Sequence, residues 1–138
     1  MQKTSLFAGM LALAAAALPG QVFAACSGSS MNQTQLGNVF PGNTVCAQRG
    51  SERWQEFHGG GGALIDYKMG PGDAVDPSKQ VGTWAIQGTG SAARMVYDYG
   101  SGGRYEYRVY EDNGRYSFCN GNEVHDATVI AGQSRCAF

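Results

Sequence analysis

Arg94-Met95-Val96-Tyr97-Asp98-Tyr99, then Gly100-Ser101-Gly102-Gly103, then Arg104-Tyr105-Glu106-Tyr107-Arg108-Val109-Tyr110-Glu111 reads as two antiparallel strands and the turn between them. Met95, Tyr97 and Tyr99 alternate with Arg94, Val96 and Asp98, the period of two that a half-buried strand requires. The second run repeats it, with Tyr105, Tyr107 and Val109 on one face and Arg104, Glu106, Arg108 and Tyr110 on the other. One side is apolar and aromatic and the other charged, so the sheet has one wet face.

Residues 82 to 119 read as four such strands in succession, from Gly82-Thr83-Trp84-Ala85-Ile86 to Arg115-Tyr116-Ser117-Phe118-Cys119. Asp112-Asn113-Gly114 supplies residues that tolerate positive φ, as a tight hairpin demands. Upstream, strands are expected at 43 to 48 and 53 to 58, the latter with Trp54, Glu56 and His58 on one face and Arg53, Gln55 and Phe57 on the other. Gly59-Gly60-Gly61-Gly62 reads as a loop or bulged hairpin, followed by a strand over 63 to 69. The loop over 70 to 79 holds Pro71, Gly72 and Pro77, which cannot continue a ladder.

With 81 to 87, 94 to 99, 104 to 111, 115 to 120 and 127 to 130, the count reaches eight short strands at hairpin spacing. The fold class expected is all-β: a small antiparallel, roughly eight-stranded up-and-down barrel, with a β-sandwich as the alternative. No convincing amphipathic helix follows residue 25. Residues 25 to 42 read as a tether or a short turn of helix with Met31, Leu36, Val39 and Phe40 to bury. Within it Asn32-Gln33-Thr34 matches a glycosylation acceptor, but also an ordinary polar turn, the reading preferred here.

The first 24 residues read as a secretory signal: Lys3, an apolar run over 6 to 18, the breakers Pro19 and Gly20, and cleavage expected after Ala24. The run falls short of the roughly 20 residues that a membrane-spanning helix needs, and no later stretch approaches that length. A single soluble domain over 25 to 138 is expected, periplasmic or secreted. Cys26 after Ala24-Ala25 loosely resembles a lipid-attachment box, but Phe23 stands where a branched aliphatic residue usually does. Lipidation would also leave an odd cysteine among Cys46, Cys119 and Cys136. Two disulfides are the preferred reading. Of the three connectivities, Cys26 with Cys46 and Cys119 with Cys136 is preferred because each closes a short loop and pins one chain end. Cys26 with Cys136 and Cys46 with Cys119 is the alternative.

Loss of Lys3 leaves nine basic residues against eleven acidic ones, a formal charge of −2 with no basic stripe. Nucleic acid and anionic membrane surfaces are therefore not expected partners.

At Gly82-Thr83-Trp84 the sequence resembles the calycins, the lipocalin and avidin group of small antiparallel barrels, in which the indole of a Gly-x-Trp packs at the barrel floor. In lipocalins that motif lies on the first strand and here it lies near the middle, so the likeness is one of architecture. The chain also resembles small exported bacterial proteins with a Gly-Asn-Thr-Val strand (residues 42 to 45), a Gly-Thr-Trp strand and a late Phe-Cys (Phe118-Cys119). The resemblance implies a barrel mouth that binds a small apolar or amphipathic ligand, with Trp54, Trp84, Tyr97, Tyr99, Tyr105 and Tyr107 as candidate lining. Inward aromatics in a small β domain also serve simply as core.

Ser101-Gly102-Gly103-Arg104-Tyr105 resembles the Ser-Gly-x-Arg-Tyr segment that periplasmic inhibitors of chicken-type lysozyme insert into the enzyme's cleft. That resemblance implies a hydrolase inhibitor acting through Ser101, Arg104 and Tyr105, although the family's Tyr-x-x-x-Lys segment has no match. A structural envelope protein, assembling through Gly59-Gly60-Gly61-Gly62 and exposed edges, is a third reading.

Glu56-Phe57-His58 and Glu123-Val124-His125, with Asp126 adjacent, each place a carboxylate and an imidazole on one strand face. Two such pairs meeting would make a zinc or copper site, but nothing in the sequence brings them together, and no metal or cofactor is expected. Gly88-Thr89-Gly90-Ser91-Ala92-Ala93 fits a loose dinucleotide fingerprint yet leads into a strand, not a helix. No Gly-x-Ser-x-Gly elbow occurs. No two of Asp66, Asp73, Asp76 and Asp98 visibly converge, and oxidised cysteines leave no thiolate. The expected function is binding of a small molecule or of a secreted or periplasmic protein, without catalysis.

Overall fold

The computed structural model of the chain describes residues 25–66 and 79–138. The expected signal over 1 to 24, the end of the third strand at Tyr67 and Met69, and the loop bearing Pro71 and Pro77 lie outside the described residues. Among the described residues eight strands are present: β1 (Asn43–Arg49), β2 (Glu52–His58), β3 (Ala63–Asp66), β4 (Lys79–Gln87), β5 (Arg94–Asp98), β6 (Arg104–Asp112), β7 (Arg115–Cys119) and β8 (Val124–Ala131). Each pairs antiparallel with the next, and β1 also pairs with β8. The sheet is therefore a closed up-and-down barrel and not a sandwich. Closure also removes the exposed edges on which the envelope-assembly reading drew.

Local sequence explains the turns. Asp112 faces Arg115 across a two-residue connection, with Asn113 at φ 50° and Gly114 at φ 77°, the paired positive φ of a type I′ hairpin. The four glycines form a 3-10 turn over Gly60–Gly62, with Gly61 at φ 69° and Gly62 at φ 84°. β8 begins at Val124, ahead of the expected position 127. Its register with β7 shifts opposite Ser117, and Asp126 takes φ 56°. That bulge lets Val124 and Ala127, three apart, both face inward.

Residues 25 to 42 contain a helix, α1 (Gln33–Val39). Asn32 caps it: its Oδ1 accepts from the Gln35 N–H at 2.9 Å, and Gln35 Oε1 accepts from the Asn32 N–H at 2.8 Å. The asparagine of the acceptor-like triplet is thus occupied as a helix cap. Leu36 and the C-cap Phe40 are fully buried, and the Phe40 ring lies 5.7 Å from those of His58, Tyr116 and Phe118. Together they close the barrel end at which β1 starts.

The disulfides are Cys26–Cys119 and Cys46–Cys136, which corrects both pairings read from the sequence. Each bond ties a segment flanking the barrel, residues 25–42 or 132–138, to a strand distant in sequence, closing separations of 93 and 90 residues. Loop length was a poor guide because the closing strands bring the termini back over β7 and β1. In the chain-entropy model a loop of this size stabilises by about 4–5 kcal/mol, less for two that overlap. Polar bonds fasten the C-terminal strap along the outside of β1 and β2. Thr44 Oγ1 donates to the Gly132 carbonyl at 2.6 Å, and the Cys136 N–H donates to Gln55 Oε1 at 2.7 Å. Thr44 and Gln55 are consequently buried with partners although they stand on the outer face. The N-terminal strap is fastened where the Met31 N–H donates to the Val109 carbonyl at 2.7 Å.

Gly82 shows how tightly the wall is drawn, since a Cβ there would lie 2.2 Å from the Asp98 carbonyl oxygen of the neighbouring strand. Replacement Gly82→Ala is expected to cost about 1–3 kcal/mol, because the obstacle is backbone. Gly37→Ala, in open space on α1, should stabilise by up to about 1 kcal/mol. Urea midpoints of the two variants check the contrast.

Candidate functional site

The barrel interior has two unlike halves. Toward α1 it is packed solid with Leu36, Phe40, Leu64, Met95 and Val109, all fully buried. Toward the other end lies a cavity of about 450 Å³, lined deep by Val45, Tyr97 and Phe118 and at its mouth by Arg49, Asp66 and Asn122.

Two hydrogen bonds cross the lumen between strands that are not neighbours in the sheet. The Tyr97 hydroxyl lies 2.9 Å from His58 Nε2, and the Tyr99 hydroxyl donates to Glu56 Oε1 at 2.8 Å. Positions 56 and 58 share the inner face of β2. Positions 97 and 99 share the inner face of β5 and its continuation, so the residues meet as two rungs. His58 Nδ1 lies 3.1 Å from the Glu56 backbone carbonyl, which can only accept. The proton therefore sits on Nδ1, and Nε2 accepts from Tyr97. Rings of Phe40, Trp84 and Tyr97 surround the imidazole at 5.1 to 5.7 Å.

Burial fixes the protonation states. It pushes the Glu56 carboxyl up to about 7 from 4.5; the Tyr99 bond opposes the shift and nearby Asp66 adds to it. Burial also lowers His58 from 6.5 to about 4. The Tyr97 and Tyr99 hydroxyls are raised, chiefly by burial, so both remain donors.

Of the six aromatic candidates, Trp54, Tyr97, Tyr99, Tyr105 and Tyr107 line the cavity. Trp84 does not. It packs at the closed end, where its indole N–H donates to the Gly59 carbonyl at 3.0 Å and its ring meets His58. Trp84 therefore belongs to the closed end and not to the cavity lining expected of it.

Residues of the loop reading diverge. Ser101 is exposed on the 3-10 turn Gly100–Gly102, and Tyr105 leans into the mouth, its hydroxyl donating to the Gly102 carbonyl at 3.1 Å. Arg104 stands on the outer face, bonded to Gln87 Oε1 at 3.2 Å and Glu106 Oε1 at 3.3 Å. The two Glu-x-His pairs do not meet. Glu56 and His58 lie inside, whereas Glu123 and His125 flank the inward Val124 and stand outside. Among the described residues no cluster of three or more His, Cys, Asp or Glu could hold a metal ion.

Three charged lining residues were not singled out for the cavity from sequence: Glu56, Asp66 and Arg49. Glu56 is paired with Asp66 across β2 and β3, so both carboxyls face the cavity from one wall. The signal for Glu56 was available, since it shares a face with Trp54 and His58. Arg49 lies over the Trp54 ring at 5.3 Å, donates to Asn122 Oδ1 at 2.8 Å and pairs with Glu52 at 3.2 Å.

No protein-family model, no curated protein and no solved structure matches the chain, so the functional reading rests on the barrel and its cavity.

Folding favours the neutral form of Glu56 below about pH 7 and of His58 above about pH 4, which makes a pH prediction. A raised carboxyl contributes stability that is complete below 4.5 and lost as pH rises to about 7. A depressed imidazole contributes stability that is complete above 6.5 and lost as pH falls to about 4. The two slopes cancel between 4.5 and 6.5. Glu56→Gln, which keeps an acceptor for Tyr99, should unmask a rise of about 2–3 kcal/mol from pH 4 to 6.5. It should also be more stable than the parent at pH 8 by a similar amount, as measured by urea unfolding across pH.

Proposed function

We propose that this protein is an exported, non-catalytic binding protein that takes a small apolar or amphipathic molecule into the open half of its barrel. The observation that carries the reading is the cavity itself: about 450 Å³, closed at one end by α1 and Trp84, open at the other, and walled largely by aromatic and aliphatic side chains. Its size is that of sites for small organic ligands, apolar with a few placed polar groups.

Two further features support it. Both disulfides suit an oxidising compartment, in keeping with the signal-like first 24 residues. Glu56 and Asp66 approach the cavity from one wall, not from opposite sides of a bound substrate as an acid and base flanking a scissile bond would. The inhibitor reading draws less support, because Arg104 is committed to Glu106 and Gln87 on the outer face and turns away from Tyr105.

The neutral apolar dye N-phenyl-1-naphthylamine should bind saturably, one per chain, with enhanced fluorescence. Ala47 lines the cavity wall and is buried. Ala47→Trp should fill part of the space and weaken dye binding at least ten-fold while the protein remains folded by circular dichroism. Absence of saturable uptake by the parent protein would overturn the reading.

A further inference from the structure

The charge arrangement of the cavity narrows the ligand. Among the described lining residues two are acidic, Glu56 and Asp66, and one is basic, Arg49. The acids are cross-strand neighbours on one wall, and the opposite wall is tyrosine: Tyr97 and Tyr99 stack with centroids 6.5 Å apart, and Tyr105 meets Tyr99 at 6.0 Å. Arg49 already serves Asn122, Glu52 and the Trp54 face.

Each of three ligand charges meets this surface differently. An anion would approach two carboxyl groups, and Arg49, the basic residue among the described lining residues, is already engaged. A neutral apolar molecule would bring no charge to this already desolvated wall, a cost that falls on the ionised form of Glu56. A cation gains from both walls. A carboxylate offers about four acceptor sites, of which Tyr99 uses one on Glu56, and aromatic faces attract a cation through their quadrupoles. The protein makes such a contact itself, with Arg49 over Trp54.

We infer that the cavity selects an organic ammonium ion, an amphipathic molecule whose cationic head lies between the Glu56 and Asp66 carboxyls and the aromatic faces of Tyr99 and Tyr105. Its apolar body lies along Val45 and Phe118. The inference rests on the binding reading above and adds the ligand's charge.

The test is displacement of N-phenyl-1-naphthylamine at pH 8 by three probes of matched size: 2-phenylethylammonium, 2-phenylethanol and 3-phenylpropanoate. The ammonium is expected to compete at least ten-fold more tightly than the other two. That preference should shrink to within about two-fold in Glu56→Gln and weaken in Asp66→Asn, each checked for folding by circular dichroism. Equal or tighter competition by the alcohol or the carboxylate would overturn the inference while leaving the cavity reading in place. Dye uptake that no probe displaces would do the same. A preference unchanged in both variants would overturn the placement of the head. Failure of the parent protein to take up the dye would remove the binding reading, and this inference with it.

Discussion

The hydrogen bond from the Tyr97 hydroxyl to His58 Nε2 is the constraint on which the interior depends. It joins β2 to β5 across the lumen, and it works only with a neutral imidazole whose Nδ1 proton is spent on a backbone carbonyl. Leaving either partner unsatisfied in this buried setting costs about 1–3 kcal/mol, more than such a bond contributes net when made. The rung therefore fixes where packing stops. On one side Phe40, Trp84 and Leu64 fill the barrel; on the other, the Glu56–Tyr99 rung stands in the wall of an open cavity.

The rest of the chain holds that division in place. α1 caps the packed end, and the two straps lie outside the barrel, each stapled by a disulfide to a strand far away in sequence. These crossed staples tie β7 to the segment before the barrel and β1 to the segment after it, so both flanking segments stiffen the wall that encloses the cavity. A domain this small has a modest core, and cross-links are the usual supplement.

Much of the barrel was legible because period-two patterning is a local property. The inward sets Met95-Tyr97-Tyr99, Tyr105-Tyr107-Val109 and Trp54-Glu56-His58 follow from alternation alone, as does the Asn113-Gly114 turn from its tolerance of positive φ. What escaped was non-local. The disulfide partners depend on where the straps return after closure, and the meeting of Glu56 with Tyr99 joins strands separated by two others. The β8 bulge likewise moved Glu123 and His125 outside without leaving a mark in composition. Alternation groups Trp84 with the cavity aromatics because it gives a residue's face but not its depth along the barrel axis.

The whole interior depends on a neutral imidazole clamped by Tyr97 beneath an open aromatic chamber, and nitrogen-15 NMR of the His58 side chain measures that state. The expected spectrum shows a single neutral tautomer protonated at Nδ1, persisting as pH falls below 6 and titrating near 4, with a slowly exchanging Tyr97 hydroxyl proton. Titration of His58 near 6.5 with mixed tautomers would contradict it, showing the rung unmade and the floor of the cavity open to water.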